Sequence, residues 1–495
     1  MKGDKEPMLP TSGGPVKTLG GAFAGFQVTL LLVLPVYLGL AIAGYLQGPA
    51  WAMPAILAPL GAFLAVGACI WFGFRNSFQI WALQRPNNLL SRTFLPGLEV
   101  LEGMLDISSY YEGLRTAWGP NFCSAGMVCL GEWKAIEQAL TQPQARATNL
   151  GAHPLIKANL PKGLDGRKLF LLCLSSKGAG GAGAHEAYRA CMAEYVFTAD
   201  IKKRRTDATA KRLLAGLATD YKEMKHGYAE EFWTSKEKGL TPFLVRYMHY
   251  AIFGMDLSDE ADVTALVDFN SGEKNLGYYL MPIGYVVNKS ATVDKLTKIY
   301  EKMPCFDNFK EGNAAWNNMT KRDAALLMLT IMRVAGIQGT HLACMITMGG
   351  CHLPAYAGRG TYDVDVTKTW DTLNFGVAAE LRDYVLEVMR LAAPVTTSHR
   401  VAAEDFDVDI KGKKYQFPRG TKILIPMSMG MTDTSVWGDD AFEIKLGRPK
   451  LWENFMGFNS VGDRTNGRMC PGTDIALDAL CDVVRELGEA RRARP

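Results

Sequence analysis

One short stretch constrains the fold more than any other part of the chain. It reads Phe458-Asn-Ser-Val-Gly-Asp-Arg-Thr-Asn-Gly-Arg-Met-Cys470-Pro-Gly-Thr-Asp474. Its glycines allow a tight bend, because glycine adopts positive φ at no steric cost. Amides and a positive charge beside a cysteine favour its thiolate, and Arg468 is suited to a bidentate carboxylate contact. The stretch predicts a loop that presents Cys470 to a haem iron; the alternative is a glycine-rich surface loop with a chance cysteine.

A second element lies about eighty residues earlier, in the predicted helical run from Val377 to Leu391. Glu387 and Arg390 are spaced i, i+3, so they share a helix face and can form an ion pair. Such a pair alone is also typical of an exposed helix surface. Here the run is followed by a proline and then by Arg400, and the combination with the cysteine loop is more specific than either element.

Together these residues resemble the cytochrome P-450 superfamily of haem-thiolate proteins, and more closely its branch of plant-type allene oxide synthases and hydroperoxide lyases. The loop between Phe458 and Cys470 is longer than the usual Phe-x-x-Gly-x-Arg-x-Cys-x-Gly. It closes in Asn-Gly-Arg-Met-Cys-Pro-Gly-Thr-Asp, which is similar to the Asn-Lys-Gln-Cys-Ala-Gly-Lys-Asp of that branch. The resemblance is clear from about Asp323 to Leu477 and weaker back to about Val100. It implies a mainly α fold with a small β subdomain, and haem b with Cys470 as the axial ligand.

The resemblance also assigns residues around the haem. A helix after the glycine-rich run 177–184 carries two basic side chains at i, i+4, where the family contacts the haem propionates; a surface pair is the alternative reading. The glycine-rich run itself is not a nucleotide-binding loop, because no Gly-Lys-Ser/Thr follows it. The assigned cofactor-binding residues are His185, Arg189, Arg400, Arg468, Phe458 and Lys157, with Glu387 and Arg390 as a structural ion pair.

The predicted distal helix departs from the family pattern. It reads Ala335-Gly-Ile-Gln338-Gly339-Thr340, where oxygen-activating members usually have Ala-Gly-x-Asp/Glu-Thr as a proton relay. Gln338 replaces the acid, Gly339 replaces the threonine, and Thr340 is one residue late, about 100° further round an α-helix. The plant-type branch has a catalytic asparagine in this helix, which aligns most simply with Ala335. We interpret Gln338 as the residue that supplies the catalytic amide instead.

Composition sets broad limits. The chain has 495 residues, 48% of them hydrophobic, and a net charge of +4, so it can bury a substantial core. No basic block with interleaved aromatic residues supports nucleic-acid binding. Ten cysteines occur without metal-finger spacing, which favours a reducing compartment over a disulfide framework.

The amino-terminal region predicts a membrane anchor. Residues 1–17 are polar and are predicted to be disordered, whereas residues 18–74 contain no charge. Two apolar runs, about 22–46 and 51–74, are each long enough to cross a bilayer core of roughly 30 Å. Lysines precede the pair and Arg75 follows it, which places both ends on the cytosolic or stromal side of an endoplasmic reticulum or plastid membrane. A single anchor with an interfacial segment and a cleaved signal peptide are the alternatives.

The remaining predictions concern the catalytic domain, residues 75–495. Residues 121–130 alternate like one strand and residues 131–140 read as a helix, while the aromatic-rich segment 243–253 is predicted to be core. Residues 442–448 match the family's Pro-Glu-Arg-Phe stretch loosely. The twenty-five residues after Cys470 are enough for the helix that follows the cysteine but not for the family's terminal β-hairpin, which leaves open what covers the pocket.

These features predict a membrane-anchored haem-thiolate enzyme that acts on a fatty-acid hydroperoxide. The resemblance implies an allene oxide, a lyase product or an epoxyalcohol, made without dioxygen or a reductase. The main alternative is a membrane-bound monooxygenase that uses dioxygen and a reductase. A haem-binding or sensing protein without catalytic activity is the third class.

Overall fold

Helices dominate the part of the chain that the computed structural model describes. That part is residues 120–124, 127–141, 184–223, 232–233, 235–271, 290–316, 318–348, 366–395, 397–402, 404–417, 422–462, 464 and 469–493. The predicted anchor (18–74), the polar segment before it, Lys157 and Arg468 lie outside these ranges. Within them, the structure contains no helix that is both long and apolar enough to cross a bilayer. The two-helix anchor therefore stays a prediction.

The helices form the larger part of the fold. In chain order they are α1 (Trp133–Thr141), α2 (Ala184–Tyr195), α3 (Asp200–Thr206), α4 (Ala208–Glu223), α5 (Leu240–Phe253), α6 (Glu260–Ser271), α7 (Ser290–Glu301), α8 (Lys321–Ile331), α9 (Thr340–Thr347), α10 (Thr367–Thr372), α11 (Ala378–Leu391), α12 (Met427–Gly430), α13 (Thr434–Trp437), α14 (Leu451–Asn454) and α15 (Thr473–Arg492). Helix α15 packs against α4, α9 and α11, and α5 packs against α4, α6 and α9. These contacts enclose the hydrophobic core.

Two small sheets complete the described chain. The strands are β1 (Asn121–Ser124), β2 (Met127–Leu130), β3 (Thr397–Val401), β4 (Phe406–Ile410), β5 (Lys413–Phe417) and β6 (Lys422–Pro426). The larger sheet has the order β1-β2-β6-β3, with β2 parallel to β6 and the other pairs antiparallel. Strands β4 and β5 form a hairpin, in which Lys411 and Gly412 both have positive φ, as a two-residue hairpin turn requires.

Several helix predictions are confirmed at the level of single residues. Helix α11 begins one residue after the predicted start and ends at Leu391 as predicted. Helix α5 contains the aromatic-rich segment, and most of its side chains are buried. Helix α15 follows the cysteine as expected. The prediction of one strand over 121–130 is wrong, because the chain folds there into the β1–β2 hairpin.

The predicted distal helix is not a regular α-helix. Helix α8 starts with a capping box, in which Thr320 and Asp323 exchange side-chain-to-backbone hydrogen bonds. Residues Met332–Gly339 then form a π-helical segment, and α9 resumes the α-helical geometry at Thr340. Because a π-turn closes from i to i+5, it holds one more residue than an α-turn. The angular offset of about 100° expected for Thr340 is therefore wrong, since it assumed an uninterrupted α-helix.

Candidate functional site

Cys470 lies three residues before α15 and forms no disulfide. Its amide donates to the Phe458 carbonyl at 2.8 Å, and its carbonyl accepts the Thr473 hydroxyl at 2.7 Å. Burial raises the pKa of the Cys470 thiol, while the Gly472 amide, which donates to the sulfur, and the charge of Arg189 both act to lower it. A Cβ added at Gly472 would lie 3.9 Å from the Cys470 Sγ. The backbone is thus fixed on both sides of the sulfur.

The loop before the cysteine has an unusual backbone. Phe458 has φ 60° and ψ 23°, and Asn459, Gly462 and Arg464 also have positive φ. Glycine adopts this conformation freely, but a bulky residue such as phenylalanine rarely does. The Phe458 carbonyl that accepts the Cys470 amide therefore belongs to a residue whose conformation the surrounding contacts must hold.

Helix α2 brings Arg189 to the cysteine loop. Its Nη1 donates to the Met469 carbonyl, one residue before Cys470. Burial lowers the pKa of Arg189, and the nearby Cys470 acts to raise it. His185 lies one turn earlier on the same helix and is buried, with 5% of its surface exposed. The structure therefore places Arg189 at the site, and His185 in the protein interior on the helix that carries it.

Strand β3 brings Arg400 to the other end of the loop. Arg400 is 3% exposed. It donates to the Ser398 hydroxyl at 2.6 Å and to the Asn459 side-chain oxygen, to which Ser398 also donates at 2.9 Å. Arg189 and Arg400 thus contact opposite ends of the segment between Asn459 and Met469.

The predicted Glu387–Arg390 pair is fully buried rather than exposed. Arg390 binds the carboxylate through two hydrogen bonds of 2.9 Å and also donates to the Met431 and Ala441 carbonyls. A second guanidinium, that of Arg448, donates to Glu387 at 2.8 Å. One buried carboxylate therefore joins α11 to the segment 431–448, and the loose family match over 442–448 supplies the second arginine.

Gln338 lies within the π-helical segment. The structure describes its backbone, and its side chain is outside the description. Two residues on, Thr340 is 4% exposed. The π-turn absorbs one residue, so Thr340 takes approximately the angular position that residue 339 would have if α8 continued as an α-helix.

The residues present fit a haem with a thiolate ligand. A thiol with an amide donated to its sulfur suits an iron ligand, and the two guanidiniums at the loop suit carboxylates. The fit rests on Cys470, Arg189 and Arg400, because Lys157 and Arg468 lie outside the described residues.

Three residues of the site were not predicted from the sequence. Asn459 accepts a hydrogen bond from Arg400, and Arg448 is the second arginine that binds Glu387. Arg464 lies inside the loop and donates to its backbone carbonyls. Arg464 and Arg448 had a signal, since each is an arginine in a segment already compared with the family. Asn459 had none.

The chain is similar to several solved structures. No protein-family model and no curated protein matches the sequence. Among solved structures, CYP109E1 of Bacillus megaterium, solved with corticosterone, has 16% sequence identity and a TM-score of 0.54, over 78% of this chain and 91% of that one. Cytochrome P-450 CYP150A6 of Mycobacterium marinum has 14% identity and a TM-score of 0.52, over 78% and 87%.

A third similar structure is that of P-450 BioI bound to an acyl carrier protein ligated to hexadec-9Z-enoic acid. It has 12% identity and a TM-score of 0.54, over 79% of this chain and 93% of that one. At identities of 12–16% the likeness establishes the fold and nothing finer. This chain has the cytochrome P-450 fold, with Cys470 in the loop before its last described helix.

Proposed function

We propose that this protein is a haem-thiolate enzyme that rearranges or cleaves a fatty-acid hydroperoxide, without dioxygen or a reductase. The observation that carries the haem-thiolate part is the fixed Cys470, held by its own amide, by the Gly472 amide and by Arg189 within a P-450 fold. The product would be an allene oxide, a lyase product or an epoxyalcohol.

The cofactor would be haem b, with Cys470 as its axial ligand. Arg189 and Arg400 would contact its propionates, and the resemblance adds His185, Arg468, Phe458 and Lys157. When bound, the haem supplies the one-electron redox chemistry of its iron, while the protein supplies ligation, shape and electrostatics.

The residues of the distal helix support a hydroperoxide as the substrate. An amide does not release a proton at neutral pH, so Gln338 cannot act as the acid of a relay, but it can donate and accept hydrogen bonds. A substrate that already contains an O–O bond needs orientation more than it needs proton delivery. We infer that Gln338 contacts and orients the hydroperoxide group.

One observation favours the alternative, a membrane-bound monooxygenase with a reductase partner. The π-helical segment absorbs one residue before the buried Thr340, which supports a role for Thr340 as a relay threonine. An ordered water beside Thr340 would then take the place of the missing acid.

We also propose that residues 18–74 anchor the enzyme in membrane lipid, with the catalytic domain on the cytosolic or stromal side of the endoplasmic reticulum or a plastid membrane. The charge-free sequence of this segment supports the proposal. Such an anchor would hold the domain beside the lipid phase in which a fatty-acid hydroperoxide dissolves.

The two enzyme classes differ in their need for oxygen. We expect the purified holoenzyme, under anaerobic conditions and without reductase or NADPH, to convert a polyunsaturated fatty-acid hydroperoxide. With an ¹⁸O-labelled hydroperoxide, mass spectrometry should find product oxygen from the hydroperoxide, or one oxygen from water if a cation is trapped. Cys470→Ser should remove this activity, and the matched Cys481→Ser should keep it.

The isosteric Gln338→Glu variant sharpens the test, because it restores an acid beside Thr340. It should not increase hydroperoxide turnover. If the native protein instead inserts oxygen from the gas phase, only with a reductase and NADPH, the monooxygenase is the correct function.

A further inference from the structure

Arg464 lies within the loop that ends at Cys470, and its side chain points back into that loop. Its Nη2 donates to the Trp452 and Phe455 carbonyls at 2.7 and 2.6 Å, and its Nη1 donates to the Ser460 carbonyl at 3.0 Å. A longer contact of 3.4 Å reaches the Gly457 carbonyl. One guanidinium therefore ties together carbonyls spread over nine residues of backbone.

The same guanidinium is fixed by an aromatic ring. Its Cζ lies 3.8 Å from the centroid of the Trp452 ring, over which Arg382 of α11 also lies, at 5.4 Å. Burial lowers the pKa of Arg464 to about 10, so the side chain is charged at neutral pH. A charged donor makes stronger hydrogen bonds to carbonyls than a neutral one.

The carbonyls that Arg464 binds flank the strained residue of the loop. Phe458 lies between Gly457 and Ser460, has φ 60°, and accepts the Cys470 amide at 2.8 Å. A left-handed conformation at a bulky residue persists only where neighbouring contacts over-determine it. The bonds from Arg464 are on both sides of Phe458 and supply those contacts.

We infer that Arg464 is a positioning residue for the Cys470 thiolate. Its hydrogen bonds hold Phe458 in the left-handed conformation, and the Phe458 carbonyl in turn accepts the Cys470 amide and fixes its position. It acts through the backbone and not by touching the cofactor. This role differs from the propionate contact that the resemblance gives to Arg468. The inference rests on the proposed haem-thiolate site.

The first test replaces the donors. We expect Arg464→Gln to keep most of its haem but to show a several-fold smaller fraction of the red-shifted, thiolate-type Soret band in the reduced CO complex. The g-value spread of the ferric haem in electron paramagnetic resonance should change in parallel. Arg464→Lys should be intermediate, because an ammonium group cannot reach all of these carbonyls.

Arg382→Gln is the matched control, since it removes the other guanidinium from Trp452 and leaves the carbonyl bonds of Arg464 in place. It should keep the thiolate band. A native band in Arg464→Gln, or an equal loss in Arg382→Gln, would overturn the inference.

The second test asks whether Arg464 acts through Phe458. Glycine adopts φ near 60° without strain, so adding Phe458→Gly to Arg464→Gln should recover part of the thiolate band, whereas adding Phe458→Leu should not. If the two substitutions reduce the thiolate band additively, Arg464 does not act through Phe458. A lower unfolding temperature of the double variant would not change that conclusion. If the unsubstituted protein binds no haem with a thiolate band, the proposed function fails, which is a different result.

Discussion

The cysteine loop and the distal helix both contain more residues than the family pattern, and they accommodate them differently. In the distal helix the extra residue is absorbed by a π-turn, and α8 and α9 continue on either side. In the described part of the loop, four residues adopt positive φ, and Arg464 donates to the backbone carbonyls. A helix has a repeating hydrogen-bond pattern that can widen by one residue, whereas a loop needs a dedicated side chain.

The largest effect should come from replacing Cys470, the proposed ligand of the haem iron. Cys470→Ser should abolish the red-shifted, thiolate-type Soret band of the reduced CO complex. Cys481, which is buried in α15, should be replaceable by serine with the band retained. If the band survives in Cys470→Ser with haem bound, another residue is the haem ligand, and the cysteine loop does not have the role proposed for it.

The next largest effect concerns the buried network that joins α11 to residues 431–448. Glu387→Gln leaves Arg390 and Arg448 without their buried carboxylate, and breaking a buried ion pair in this way costs about 3–5 kcal/mol. We expect little folded protein, or a much lower denaturation midpoint in urea. Asp440→Asn breaks the partly exposed end of the same network, where Asp440 accepts from Arg448 at 2.6 Å, and should cost clearly less. Equal losses would show that burial does not set the cost.

Acid should destabilise the protein, because α5 contains a buried histidine. His249 of α5 is fully buried and contacts the Tyr300 hydroxyl at 2.7 Å, and burial lowers its pKa from 6.5 to about 4. Between these values the unfolded chain binds more protons than the folded one, so stability falls as pH falls from 6.5 to 4, by about 3 kcal/mol at the lower end.

Urea denaturation measured across this pH range would test the prediction. His249→Gln does not titrate and should flatten the dependence between pH 6.5 and 4. An unchanged pH dependence in that variant would assign the acid sensitivity to other groups.

The smallest effects compare one glycine from each region. Gly462, in the loop, has φ 68° with open space around it, so Gly462→Ala should cost about 1 kcal/mol from the left-handed backbone alone. At Gly336 a Cβ would lie 2.6 Å from the flexible Met332 sulfur. There the helix propensity of alanine, worth about 1 kcal/mol, should offset the shift of Met332. Denaturant titration of both variants tests the difference, and equal costs would contradict it.

The sequence predicts those parts of the fold and site that leave a pattern. The predicted helical run matches α11 to within one residue, and the glycines before Cys470 predicted a tight bend, where Gly462 has positive φ. The i, i+3 spacing of Glu387 and Arg390 predicted their pairing, but spacing carries no information on burial or on Arg448 as a third member. The acceptors of Arg464 are backbone carbonyls, which every residue has, so no sequence pattern marks them.

The hairpin and the π-segment were missed for a different reason. An alternating run looks the same whether it forms one strand or two antiparallel strands such as β1 and β2. A π-turn uses ordinary helix-forming residues. It differs from an α-turn only in that each amide donates its hydrogen bond to the carbonyl five residues earlier instead of four.

Hydrogen bonds to the cysteine loop and to the segments before it join residues far apart in the sequence, which constrains how the protein folds during synthesis. Arg189 and Met469 are 280 residues apart, Trp133 and Asp433 are 300 apart, and Trp133 and Asn454 are 321 apart. Contacts of such long range slow folding, because the closure entropy is lost before the contacts form. The β1–β2 hairpin and α1 can therefore complete their contacts with β6, Asp433 and Asn454 only after residue 454 has been made.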